Sequence, residues 1–477
     1  LENSLPNLPR LLLTVPLAAF LAVQAEQVHA KTDAQASART WVEERILASD
    51  LLQKLDFSSA PQLEAEGDGW RLLLPPATAK ADAEAGKLLL RSSDSELLVE
   101  PIDQSQIKLQ WQLPEVLDLL PERPADEALG ALRIGRQRNG GTYDLGLDAF
   151  LDIDVLLEEL TVTLPAIEAS LAEIALWGES NQGDDDRLQS DSALSFQNLT
   201  LGGPFLSLDV QSMELVTVME GIEASGYAEL LDALLTDGTS GLTFADPGLA
   251  AGAASLRVAE ADLALGASSL HLKSAETAFA AEGLEGDESD WVLQLALEDL
   301  HVAPLPPLVE SFLPHNLELD LAILGLPQAQ LDPLFARFEQ ISRRTGARYA
   351  TGMALSDLWA LLQSSEARIN IPSLHWEAAI INVDGRGMMT PSRSSEVGLV
   401  GEAYLEISGL PQIIQQLRGH PGAERMVQIL TLLQGLGIPV EDTDHGSARR
   451  YELLVAPQGQ IEVNGTDIMP LVPGLLR

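Results

Sequence analysis

Residues 291–298 read Trp291-Val292-Leu293-Gln294-Leu295-Ala296-Leu297-Glu298, with a large apolar side chain at every odd position. In an extended chain successive side chains point to opposite faces, so this spacing predicts a strand that shelters one face. Val397, Leu399, Ala403, Leu405 and Ile407 keep the same parity through Gly401. Shorter runs repeat it at Leu109/Trp111/Leu113, Leu151/Ile153/Val155, Leu206/Leu208/Val210, Leu263/Leu265, Leu270/Leu272, Ile369/Ile371 and Tyr451/Leu453/Val455. Asn139-Gly140-Gly141, Asp384-Gly385 and Asn464-Gly465 are expected as tight hairpin turns, because these residues accept left-handed backbone. The fold class expected is therefore mainly β (α+β), with extended antiparallel sheets.

A second pattern punctuates the strands: an alternating run reaches Leu-Pro and an amphipathic stretch follows. It occurs at Leu113-Pro114, Leu164-Pro165, Leu305-Pro306, Leu326-Pro327 and Leu410-Pro411. Proline cannot donate to a ladder, yet its fixed φ suits the first turn of a helix. Each copy is expected to end a strand and start a short packing helix, with a second strand equally plausible after Leu164-Pro165. The irregular spacing makes this a loosely repeated module, not a solenoid. Helical spacing is also read at 36–56, where Ala48, Leu51, Leu52 and Leu55 form one face, and at Tyr227/Leu230/Leu231/Leu234. Residues 331–349, 355–365 and 421–434 complete the set of expected helices.

The chain has 477 residues, 29 Lys+Arg against 71 Asp+Glu, a formal charge of −42 and 46% hydrophobic residues. That hydrophobic fraction and length suffice for a sizeable core. Nucleic acid is excluded as an expected partner, because phosphate binding needs clustered basic residues, and anionic membrane surfaces are disfavoured for the same reason. With no cysteine, disulfides, thiolate catalysis and Cys-based zinc sites are excluded.

Near the start, Arg10 precedes an apolar run over 11–23, followed by Val28-His29-Ala30. This is the layout of a secretory signal peptide, with cleavage expected after Ala30 and Ala25 as the alternative. The run is shorter than the roughly 20 residues a membrane-spanning helix needs, so no stable span is expected after cleavage. The expected organisation is a signal peptide at 1–30, an N-terminal helix plus β module at 31–125, a central antiparallel region at 126–315 and a C-terminal α+β module at 316–477. The Gly/Ala-rich segment 246–255 is a further candidate boundary.

The chemistry-bearing motifs are sparse. His271, His301, His315, His375, His420 and His445 include no pair at i, i+4, so a helical zinc pair is absent. His375, beside Trp376, is a formal candidate base, but a strand-borne histidine is more commonly a hydrogen-bonded structural group. Asp144, Asp148, Asp152 and Asp154 crowd one region without the register of a calcium loop, and are expected as solvated acids on a strand. Asp184-Asp185-Asp186 is expected as a solvated loop. Arg133, Arg136 and Arg138, and Arg343, Arg344 and Arg348, are the basic spots, expected to pair with the chain's own carboxylates. No nucleophile elbow, phosphate loop or dinucleotide fingerprint occurs. No catalytic residue, metal ligand, cofactor or particular ligand-binding residue is assigned.

The strand-LP-helix unit Ala403-Tyr-Leu-Glu-Ile-Ser-Gly-Leu-Pro-Gln-Ile-Ile-Gln-Gln-Leu417 and the closing run YELLVAPQGQIEVNGTDIMPL from Tyr451 resemble a family of exported alpha-proteobacterial proteins of unknown function. That family is remotely similar to the AsmA-like envelope proteins, and the resemblance covers about the final third of the chain. It implies periplasmic residence, a β-rich body and a connection with lipid movement or envelope upkeep, and it carries over no catalytic residue. The expectation is a non-enzymatic periplasmic protein that binds a lipid or other apolar ligand along a sheet groove. A scaffold for envelope proteins is the alternative, and a secreted hydrolase ranks third.

Overall fold

The computed structural model describes residues 34–83, 86–121, 128–183, 187–222, 249–345, 347–393, 395, 398–420, 423–440 and 448–470. The leader at 1–30, the boundary at 125/126, the Asp184–Asp186 run, the helix at Tyr227–Leu234 and His445 lie outside the described residues. The protein is mainly β, with long antiparallel strands and few short helices. It divides into two compact units, Leu1–Ala250 and Ala251–Arg477. This division falls inside the Gly/Ala-rich segment, whereas positions 315 and 316 lie within a strand, Pro314–Pro327.

In the first unit the strands are β1 (Asp56–Phe57), β2 (Gln62–Glu66), β3 (Gly69–Leu74), β4 (Ala77–Ala83), β5 (Gly86–Ser92), β6 (Ser95–Pro101) and β7 (Gln106–Gln112). They continue as β8 (Val116–Pro121), β9 (Gly130–Arg133), β10 (Arg136–Asp144), β11 (Ala149–Leu164), β12 (Ile167–Gln182), β13 (Leu188–Gly202) and β14 (Leu206–Ile222). Two ladders, β2-β3-β6-β7-β10 and β1-β4-β5-β8-β9, both end on β11. The N-terminal part of β11 pairs with β10 and Thr161–Thr163 pair with β9; β12, β13 and β14 then extend the sheet as a meander.

The first helix, α1 (Ala34–Trp41), runs into a π-helical turn at Val42–Leu47, and α2 (Asp50–Gln53) follows. Its buried residues are Ala38, Trp41, Val42 and Ile46, which join Leu72, Leu97, Val99, Ile107, Leu109 and Trp111 in one core. Each valine, leucine or isoleucine among them contributes about 1.5–3 kcal/mol on removal from water. Of the described side chains of the expected face, Leu52 is buried, Leu55 is half-buried against the same core and Ala48 is exposed. The π turn at Val42–Leu47 inserts an extra residue, which shifts the phase of the apolar stripe between Ala38/Trp41 before it and Leu52 after it. Arg45 Nη2 fastens this turn to Asp148 Oδ2 at 2.8 Å, and the buried Tyr143 hydroxyl donates to the same carboxylate.

The second unit comprises β15 (Ala251–Leu265), β16 (Ser268–Glu282), β17 (Glu288–Glu298), β18 (His301–Ala303), β19 (Pro314–Pro327), β20 (Arg368–Ala378), β21 (Asn382–Pro391) and β22 (Leu399–Ser408). β23 (Ile438–Val440), β24 (Ala448–Val455), β25 (Ile461–Val463) and β26 (Thr466–Asp467) complete it. The meander runs β15-β16-β17-β19-β20-β21-β22-β24-β25-β26, with β18 continuing the pairing of β17 along β16. The helices are α3 (Pro307–Phe312), α4 (Gln328–Thr345), α5 (Ala347–Ser364), α6 (Leu410–Leu417) and α7 (Glu424–Leu436).

Three Leu-Pro copies start helices as expected: α3, α4 and α6. Leu164-Pro165 makes the hairpin between β11 and β12 instead. Leu113-Pro114 corrects the expectation, because the chain enters β8, where Leu117 fills the core and the backbone is paired on both sides by β5 and β9. Asn464-Gly465 is a tight turn, with φ of 50° and 73°. Asn139-Gly140-Gly141 and Asp384-Gly385 are not turns: they lie inside β10 and β21. There the glycines serve close approach, since a Cβ on Gly141 would stand 2.5 Å from the Asp152 carbonyl oxygen.

Both units share one construction. Glu159 of β11 and Asn198 of β13, with φ of 57° and 53°, flank Ala172 of β12. Glu260 of β15 and Asp299 after β17, with φ of 47° and 54°, flank Lys273 of β16 in the same way. A single left-handed residue inside a strand shifts which side chains point inward. Thus Val155 and Leu157 are buried before Glu159 and Leu160 after it.

Candidate functional site

Directly opposed residues on neighbouring strands share a face, so the register defines the surface that the second unit presents. One row reads Leu256–Thr277–Leu295–Leu319–Leu374–Gly385–Leu405–Tyr451 from β15 to β24. The row beside it reads Val258–Ala275–Leu297–Leu317–Trp376–Val383–Ile407. On the other side lie Phe279, Leu293 and Leu321. The alternation read at 291–298 and at Leu405/Ile407 is this face.

Helices close its margins. Leu331, Leu361 and Leu362 of α4 and α5 pack with Leu326, Trp291, Ile323 and Ile369. Leu430, Leu433 and Leu436 of α7 pack with Tyr451, Leu405 and Ile407. Between them Leu256, Leu295, Leu297, Leu317, Leu319 and Leu374 are only half-buried, and Leu293 and Trp376 are each 37% exposed. From β15 to β20 this open strip is about 19 Å wide at the usual strand spacing. In the first unit the face is closed under α1 and opens similarly toward β14, where Met213 is half-buried and Leu215 is 37% exposed.

The reverse face is polar. Glu318, His375, Asp384, Glu406 and Arg450 lie in one register row. His375 Nδ1 meets Asp384 Oδ1 at 2.7 Å, and beside it Ser373 donates to Asp320 at 2.6 Å. The serine thus engages a different acid, and the two pairs do not form a nucleophile–base–acid relay.

A second histidine row escaped sequence reading. Asp262, His271 and His301 stand directly opposite one another on β15, β16 and β18. The His271 and His301 rings stack with centroids 6.3 Å apart, and His315 follows at 4.9 Å from His301. His271 Nδ1 lies 2.8 Å from Asp262 Oδ1, and this hydrogen bond raises the imidazole pKa above its ordinary 6.5. His301 Nε2 lies 2.8 Å from Asp299. The sequence separations are irregular, so only strand pairing reveals the row. Among the described residues no group of three or more His, Asp or Glu side chains is placed to hold a metal ion.

The remaining candidates are dispersed. Asp144 accepts the backbone N–H of Gly146 and Leu147, and Asp148 belongs to the Arg45–Tyr143 clamp. Burial, reinforced by Asp148, pushes the Tyr143 hydroxyl well above the usual phenol range. Asp154 pairs with Arg138 at 3.0 Å, and Arg136 with Glu159 at 2.8 Å. Arg133 is exposed on β9 and His420 is exposed after α6. The side chains of Arg343, Arg344 and Arg348 lie outside those described.

Comparison with protein-family models, curated proteins and solved structures gives no match. The second unit is thus a mainly β body of antiparallel strands, apolar and partly open on one face and polar on the other.

Proposed function

We propose that the chain is an exported, periplasmic envelope protein without catalytic activity that binds an acyl chain or similar apolar ligand along the open strip of its second unit. The observation that carries this reading is the row Leu256–Thr277–Leu295–Leu319–Leu374, in which no side chain is buried although four of the five are leucines. Patches of this kind on a soluble surface mark interaction sites. A guest chain gains about 0.8 kcal/mol for each methylene it buries there. Leucines without donors or acceptors favour length and apolarity over any head group. The acidic surface, with a net charge of −42, favours neutral or zwitterionic lipids over anionic ones.

The test is solvent extraction of the protein purified without detergent, followed by mass spectrometry. The reading expects acyl-bearing lipid at a reproducible stoichiometry, lost in Leu319→Glu and Leu374→Glu variants that retain the wild-type circular dichroism. Lipid-free protein that also takes up no added phospholipid would reject it. Crosslinking that places another envelope protein on the strip would favour the scaffold reading instead.

A further inference from the structure

A cavity of about 430 Å³ opens in the first unit and falls in the size range of small-molecule sites. Its lining includes Gln106, Asp144, Asp152, Trp177, Glu179 and Asn181. Trp177 is 50% exposed, whereas Trp41 and Trp111 of the same unit are 7% and 8% exposed. Trp177, Glu179 and Asn181 alternate along β12 and therefore share one face of it.

Asp152 and Glu179 stand directly opposite one another across β11 and β12. Like charges in that position oppose folding, and among the described residues neither has a salt bridge. The rim beyond them is ordered: Asp144 Oδ1 accepts Gly146 and Leu147 N–H at 2.8 and 3.0 Å, and Gln106 Nε2 donates to Asp144 Oδ2 at 3.3 Å. The site thus offers one open aromatic face, a pair of exposed carboxylates that accept hydrogen bonds, and carboxamides that both donate and accept.

We propose that this cavity binds a short neutral oligosaccharide. A pyranose ring has one face of C–H groups, which suits the negative face of an indole. Its edge carries hydroxyls, which donate to Asp152 and Glu179 and exchange hydrogen bonds with Asn181. A quaternary ammonium would call for a cage of several rings, and Trp177 is the one aromatic residue of the lining. An acidic sugar would be repelled by the opposed carboxylates.

Calorimetric titration of the full chain with maltotriose, cellotriose and chitotriose tests the proposal. At least one should bind saturably with a millimolar or tighter Kd. W177A should weaken it tenfold or more, and W177F and E179Q should each weaken it measurably while melting as the wild type does. Absence of binding by all three sugars, binding undiminished in W177A and W177F, or preference for choline or calcium over the sugars would overturn it.

Discussion

At the scale of single residues, backbone geometry and charge pairing make separate demands. Gly409 has φ of 83°, and a Cβ there would collide with the Ile380 carbonyl oxygen. Gly409→Ala should therefore cost at least about 2 kcal/mol in urea unfolding, since strain and steric overlap add. The His271–Asp262 pair gives a pH signature. Its folded pKa lies above the unfolded value of 6.5, chiefly through the hydrogen bond to Asp262. The folded state thus holds the proton more tightly, and the pair's contribution is fully present below pH 6.5 and disappears as pH rises through the folded pKa. An NMR titration should place the His271 midpoint above 6.5. Asp262→Asn should move it down and flatten that part of the stability profile. Because both groups are exposed, the effect on melting temperature should be small.

At the scale of elements, the lines of left-handed residues explain what the sequence showed and what it hid. Period two is plain in 291–298 because β17 has no interruption there. In β11 the buried positions change from odd at Val155 and Leu157 to even at Leu160, so a reader of the letters sees two short patterns and no 16-residue strand. Glycines in β10 and β21 mislead for a related reason: Asn-Gly and Asp-Gly permit left-handed turns, but here the Asp152 backbone at Gly141 and the Leu405 side chain at Gly385 occupy the space a Cβ would need. Leu113-Pro114 was legible only as a break in pairing, since whether a helix or a strand follows depends on the partners β5 and β9. The histidine row was illegible altogether, because pairing across β15, β16 and β18 assembles it. A substitution tests this view of the strands. Glu159→Gly should be neutral or stabilising by up to about 1 kcal/mol, because glycine accepts φ of 57° without strain, whereas Glu159→Val should destabilise by about 1–2 kcal/mol. Thermal melts of the two variants, at matched pH and salt, measure the difference.

At the scale of the molecule, hydrophobic periodicity told which residues share a face but not whether that face is closed. Leu319 and Leu326 lie on the same strand; Leu326 is fully buried beneath α4 and α5, while Leu319 is half-buried. Cover is a property of where helices land, and the letters of a strand do not contain it. The account therefore rests on the openness of the strip between the helical margins. The chain has no cysteine, so a single reporter can be placed without background. A Leu319→Cys variant carrying an environment-sensitive fluorophore, titrated with a neutral single-chain lipid below its micelle concentration, is the most direct measurement. The account predicts a saturable blue shift, absent from the same label at Gln294→Cys on the polar face. An unchanged spectrum at position 319, or equal shifts at 319 and 294, would contradict it.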